Sequence, residues 1–184
     1  MAARTTAEKG KRMDLAFASL LSKDDEEVLA AITRIGNEGD ARAIRPLLTA
    51  LTRNTSATVQ QRITQLLFQV KASGADEALF TALEDPDLAA VRTTILSTFW
   101  NAGIDVRGRL EVFVAIALQG TAAECFECLT VIENQEVWSE REVRTALRQV
   151  EQAIPAEKDP YKAAMLADLL QVLQYRLGVG EAAE

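Results

Sequence analysis

Apolar residues four positions apart recur at a nearly constant interval along this chain. The pairs, each following a polar and cap-rich segment, are Val28/Ile32, Val59/Ile63, Val91/Ile95 and Cys125/Leu129. Their first members lie 31, 32 and 34 residues apart. A spacing of four places both side chains on one face of a helix. A repeat of this length is typical of stacked helical units, which bury their apolar faces against their neighbours.

Signals for helix starts and stops divide the chain into ten helices, and no segment has a sustained period of two. Thr121 with Glu124 and Ser139 with Glu142 have the spacing of capping boxes, in which the two side chains satisfy free backbone N–H groups. We predict five helical pairs: 13–21 with 24–37, 40–53 with 56–73, 75–85 with 87–103, 105–119 with 121–135, and 139–154 with 159–177.

Three further helix starts are predicted from residue type. Asp40 and Ser56 are placed to act as N-caps, because their side-chain oxygens can accept from the first free N–H groups of a helix. Asp159 precedes Pro160, and proline is favoured at the first helical position because it has no N–H to satisfy. The last helix is therefore predicted to begin at this dipeptide.

Three segments of the chain resemble HEAT repeats of the short bacterial type, the type found in phycobilisome lyases: GDARAIRPLLTAL, ATVQQRITQLL and ALEDPDLAAVRTTIL. In that family the first helix ends in LLxAL, an Asp-containing turn follows, and the second helix opens with VR. The resemblance covers about residues 13–135, and the last pair lacks the DxxVR signature. It implies an all-α, right-handed α-solenoid of about five antiparallel helical pairs.

The ends of the chain differ in composition from this repeat region. Residues 1–12 are polar and basic and contain no apolar run, so we expect a flexible basic tail and no secretory signal. Residues 178–184, GVGEAAE, are expected to be a second flexible tail, which leaves 13–177 as one HEAT-like domain.

The net charge of −7 argues against a general nucleic-acid or anionic-membrane binder, since such proteins need a positive surface. The apolar stretch Val112–Leu118 is far too short to span a bilayer. Two cysteines in 184 residues suggest a reducing compartment rather than a disulfide scaffold. We expect a cytoplasmic protein that makes no membrane contact.

The chain contains no histidine, which limits its chemistry more than any residue that is present. Cys125 and Cys128 have the spacing of a metal or redox motif, but a zinc site needs about four ligands and no second Cys pair completes it. We interpret both as buried thiols. Nucleotide-binding glycine loops are also absent from the sequence. We therefore expect no enzymatic activity, no metal and no cofactor.

The polar face of each repeat's second helix is the candidate binding surface. If Val59, Ile63, Leu66 and Val70 form the buried stripe of one such helix, the opposite face carries amide, hydroxyl and aromatic groups. In the HEAT family, second helices line the concave side. Ala30, Arg34 and Asn37 are the corresponding residues of the first repeat, and Val131 also falls on this face. The predicted partner-binding residues are Gln61, Gln65, Phe68, Thr93, Ser97, Trp100, Glu127 and Asn134.

Phe68 and Trp100 lie nine residues after the reference valines of their repeats, Val59 and Val91. Stacking of the repeats is therefore expected to place them side by side in the groove, where they would anchor a bound peptide or helix. The alternative is that both rings fill space between neighbouring repeats. The sequence leaves these two interpretations open.

Charge is distributed unevenly. Residues 41–75 carry five positive and no negative charges: Arg42, Arg45, Arg53, Arg62 and Lys71. Residues 110–140 carry six negative and no positive charges: Glu111, Glu124, Glu127, Glu133, Glu136 and Glu140. These are either solvated helix faces or a dipolar surface that attracts an acidic partner and promotes weak head-to-tail self-association.

The favoured function is a non-catalytic protein–protein interaction scaffold or adaptor that binds a protein or peptide in its concave groove. HEAT-like alkylpurine DNA glycosylases and bilin lyases are the enzymatic alternatives that the resemblance suggests. The glycosylases need a basic concave face, and this one has little positive charge. A third hypothesis is a structural subunit of a larger complex whose other subunits cover the ends of the stack.

Overall fold

The computed structural model of the chain describes the backbone of residues 2–181 and the side chains of residue 8 and residues 10–178. All regular structure in this part of the chain is helical, with ten α-helices, as predicted. They are α1 (Ala2–Ser19), α2 (Asp25–Glu38), α3 (Ile44–Arg53), α4 (Ala57–Phe68), α5 (Ala75–Glu84), α6 (Arg92–Asn101), α7 (Leu110–Gln119), α8 (Ala122–Asn134), α9 (Glu140–Ala153) and α10 (Pro160–Glu181). Short 3-10 helices at Ala41–Ala43 and Pro86–Val91 precede α3 and α6, and Ile154–Ala156 follows α9.

The helices form two compact units, Met1–Ala102 and Gly103–Glu184. Within the first unit, consecutive helices pack as pairs: α1 on α2, α3 on α4 and α5 on α6. The second helices also contact one another in series, α2 with α4 and α4 with α6, and α3 contacts α5.

The second unit repeats this pattern with two pairs. Here α7 packs on α8 and α9 on α10, while α7 contacts α9 and α8 contacts α10. Each unit therefore joins first helices to first helices and second helices to second helices. Of the helices in residues 2–181, none combines the length and the apolar character that a bilayer-spanning segment requires.

The core of each unit consists of the apolar helix faces. Phe99 and Phe113 are among the largest fully buried side chains of the first and second units. In α4 the buried stripe is Val59, Ile63 and Leu67, whereas Leu66, which we predicted to be buried, is only half-buried. The buried residues of α4 are spaced four apart along the chain, and the helix ends at Phe68. The predicted stripe instead stepped three residues from Ile63 to Leu66 and continued to Val70, which lies in the loop after the helix.

Two predicted helices begin with a tighter turn than expected. The segment predicted as one helix over 87–103 is a 3-10 helix, Pro86–Val91, followed by α6. Asp85 caps it by accepting from the Asp87 N–H at 3.0 Å, and the buried Leu88 and Val91 lie three residues apart. This three-residue spacing matches the 3-10 period. Asp40 is an N-cap as predicted, but it caps the 3-10 helix before α3 through the Arg42 N–H.

The start of α7 is also later than predicted. Asp105, the expected first residue, instead accepts from the Arg107 N–H at 3.0 Å and pairs with the Arg107 guanidinium. Gly108 then has a φ of 77°, a left-handed conformation that interrupts any helix and that residues with a Cβ rarely adopt. The helix therefore begins only at Leu110.

The predicted caps of the later helices are confirmed. Both capping boxes are formed, Thr121 with Glu124 and Ser139 with Glu142. Asp159 accepts from the Tyr161 N–H at 2.9 Å at the start of α10. At α4 the cap differs: Ser56 has the N-cap position but its side chain makes no capping bond.

The predicted tails coincide partly with helices. From Ala2 onward the proposed N-terminal tail, residues 1–12, belongs to α1, and α10 extends to Glu181. Met1 and residues 182–184, which complete the two proposed tails, lie outside the described residues. The flexibility of both segments stays a prediction.

Candidate partner-binding groove

An open groove of about 690 Å³ lies between α4 and the start of α6 in the first unit. The α4 side supplies mostly amides and hydroxyls, and the opposite side supplies small and apolar groups. The lining residues are Leu51, Thr52, Ala57, Gln60, Gln61, Thr64, Gln65, Phe68, Ala90, Val91 and Thr94, none of which is charged. We call this feature the α4 groove.

Three of the predicted binding residues meet in the α4 groove: Gln61, Gln65 and Phe68. Both glutamines are exposed, and neither carboxamide has a hydrogen-bond partner among the described residues. Phe68 is half-buried, so part of its ring remains accessible beside these amides. This part of the predicted surface offers free donors, free acceptors and an aromatic face in one place.

Other polar groups of the α4 groove are already engaged. The Gln60 side-chain amide donates to the Asn54 carbonyl at 2.7 Å, and the Thr64 hydroxyl donates to the Gln60 carbonyl at 2.9 Å. Neither residue was predicted, because both lie between the predicted buried stripe of α4 and its opposite face.

The predicted residues of α6 do not line the α4 groove. Thr93 and Trp100 are half-buried outside it, and Ser97 is buried with its hydroxyl donating to the Thr93 carbonyl at 2.8 Å. Thr94 faces the groove instead. Val91, which we took as a buried reference residue, lines the groove together with Thr94 one turn later, so the groove lies beside the face that we predicted to be buried. Whether Phe68 and Trp100 form an aromatic pair stays a prediction.

The remaining predicted groove residues belong to other surfaces. Ala30, Arg34 and Asn37 are exposed on α2. In the second unit, Glu127 is half-buried and Asn134 is exposed on α8, with the Asn134 amide donating to the Thr130 carbonyl at 2.8 Å. Val131, which we placed on the same face, is buried. Val131 therefore lies on the core-facing side of α8.

Two members of the predicted basic patch are paired with carboxylates. Arg42 forms an ion pair with Asp40 at 2.9 Å, and this hydrogen-bonded contact raises the pKa of Arg42. Arg45 reaches Asp85 at 2.9 Å. Both carboxylates lie outside the 41–75 interval, so counting charge along the sequence overestimated the positive character of this surface. Arg53 and Arg62 are exposed, and Lys71 donates to the Ala102 carbonyl.

The glutamates of segment 110–140 also differ in burial and in their partners. Glu124 is buried in its capping box, and Glu140 forms an ion pair with Arg144 at 2.6 Å. The carbonyl groups of Glu133 and Glu136 accept from the Arg176 guanidinium at 2.9 and 3.0 Å. The six carboxylates therefore do not form one uniform negative surface.

Cys125 and Cys128 are buried thiols that form no disulfide, as we interpreted them. Burial raises the pKa of Cys125, and the nearby Lys162 charge opposes this shift. Such a thiol is mostly protonated at neutral pH and is a poor nucleophile. Among the described residues, no group of three or more Cys, Asp and Glu side chains is arranged to hold a metal ion.

Lys162 forms an internal polar cluster that sequence analysis did not identify. It is only 7% exposed, and its ammonium group donates to the Leu118 and Gly120 carbonyls, both at 2.8 Å. The same nitrogen lies 3.2 Å from the Glu157 carboxylate. Backbone donation from Asp159, and then the Lys162 contact, lower the pKa of Glu157. All donors of Lys162 are used within the unit, which indicates a structural role.

Comparison with known proteins adds no assignment: the chain matches no family model, no curated protein and no solved structure.

Proposed function

We propose that this chain is a non-catalytic protein-interaction module of the HEAT-like helical-repeat type, and that the α4 groove is its principal binding surface. The observation that carries the proposal is the lining of that groove. It combines exposed, unbonded carboxamides with an accessible aromatic ring and contains no charged side chain. Such a surface suits a polypeptide, whose main chain offers both donors and acceptors.

The packing within each unit supports the repeat part of this proposal. Second helices contact second helices in both units, which is the contact pattern that stacked helical pairs require. We propose that the five pairs are repeats of a right-handed α-solenoid. The DNA glycosylase alternative fits less well, because a groove without cationic side chains does not attract a phosphate backbone.

Site-specific photo-crosslinking in the native host tests the binding surface. The photoreactive amino acid p-benzoylphenylalanine would replace Gln65 in the α4 groove or, as the matched control, Thr81. Thr81 is also exposed but lies on α5 outside the groove. We expect one discrete protein adduct from position 65 and none from position 81. Equal adducts at both positions, or none at position 65, would contradict the proposal.

A further inference from the structure

We draw no further inference here: the strongest candidate, the cavity of about 430 Å³ between the α1–α2 and α3–α4 turns that Lys23 and Arg53 line beside the start of α4, rests on exposed cations at one helix N-terminus, and nothing in the described part of the chain shows what would occupy it.

Discussion

In the first unit, arginines meet carboxylates at the surface, whereas in the second unit a lysine is enclosed by its oxygen partners. The Arg45 side chain is 61% exposed in its pair with Asp85. The Lys162 side chain is 8% exposed and contacts two carbonyls and Glu157. Water screens the first arrangement but hardly reaches the second. The second unit also has exposed pairs, Arg107 with Asp105 and Arg144 with Glu140, and in addition it uses the enclosed lysine to join α10 to the end of α7.

Particular amides of the two units can also be compared. Gln61 and Gln65 of the first unit are exposed without partners among the described residues. In the second unit, Asn134 bonds to its own helix. We propose that the binding function lies in the first unit, and the following predictions would break or sharpen the comparison.

The largest expected effect comes from the cores, which should be equally essential in both units. Phe99→Ala and Phe113→Ala remove fully buried rings, and the Phe99 ring also packs on Phe80 with centroids 4.8 Å apart. Each should lower the free energy of unfolding by about 3–5 kcal/mol, measured by urea denaturation. Phe126→Ala is the control, because this ring is 52% exposed and should change stability little. A small loss at Phe99 or Phe113 would mean that the corresponding core is misassigned.

The enclosed lysine should give the next largest effect. Lys162→Met keeps the length of the side chain but leaves the Leu118 and Gly120 carbonyls without their donor. We expect a loss of about 2–3 kcal/mol in urea denaturation, since buried acceptors without partners are costly. Lys158→Met is the matched control, because Lys158 is exposed four residues earlier. If the two variants have the same free energy of unfolding, Lys162 does not stabilise the second unit.

Acid should weaken the ion pair between Lys162 and Glu157. The pKa of Glu157 lies below its ordinary value of 4.5 in the folded chain, so its charge favours folding at neutral pH. That contribution is complete above pH 4.5 or so and disappears as the pH falls through the lowered pKa. Glu157→Gln should therefore reduce the acid dependence of the midpoint in urea denaturation between pH 6 and pH 3. An unchanged dependence would show that Glu157 is not held by its partners.

The smallest expected effect is at the surface pair of the first unit. A double-mutant cycle with Arg45→Ala and Asp85→Asn should give a coupling of about 0–1 kcal/mol, because the arginine is mostly solvated. One molar salt should reduce this coupling further. A coupling as large as the effect of Lys162→Met would remove the distinction between the two units.

The helices could be predicted from the sequence because their caps are local. The Thr121/Glu124 box and the Asp159 cap depend on residues within one turn, and both are present. The position of Thr94 in the α4 groove could not be predicted in this way. It depends on how α6 packs beside α4, which the spacing of residues along the chain does not determine.

Polar contacts between residues far apart in the sequence could not be predicted either. Arg45 and Asp85 are 40 residues apart, and Lys162 meets carbonyls 42 and 44 residues away. A count of charges along the chain records neither contact, so it gave five unopposed cations in residues 41–75 where the structure pairs two of them. Gln61, Gln65 and Phe68 were predicted because they share one face of a single helix.

The central claim is that the α4 groove binds a partner without contributing to the core, and Phe68→Ala tests it most directly. The partner would be the protein crosslinked at position 65, and its affinity and the melting temperature of the variant would be measured on the same preparation. Trp100→Ala would be measured in parallel. The two variants together would show whether the rings bind a partner in the groove or fill space between neighbouring repeats. We predict that Phe68→Ala weakens binding by about tenfold or more while the melting temperature stays within a few degrees of the unsubstituted chain. A collapsed melting curve with unchanged affinity would contradict the account and assign Phe68 to the core.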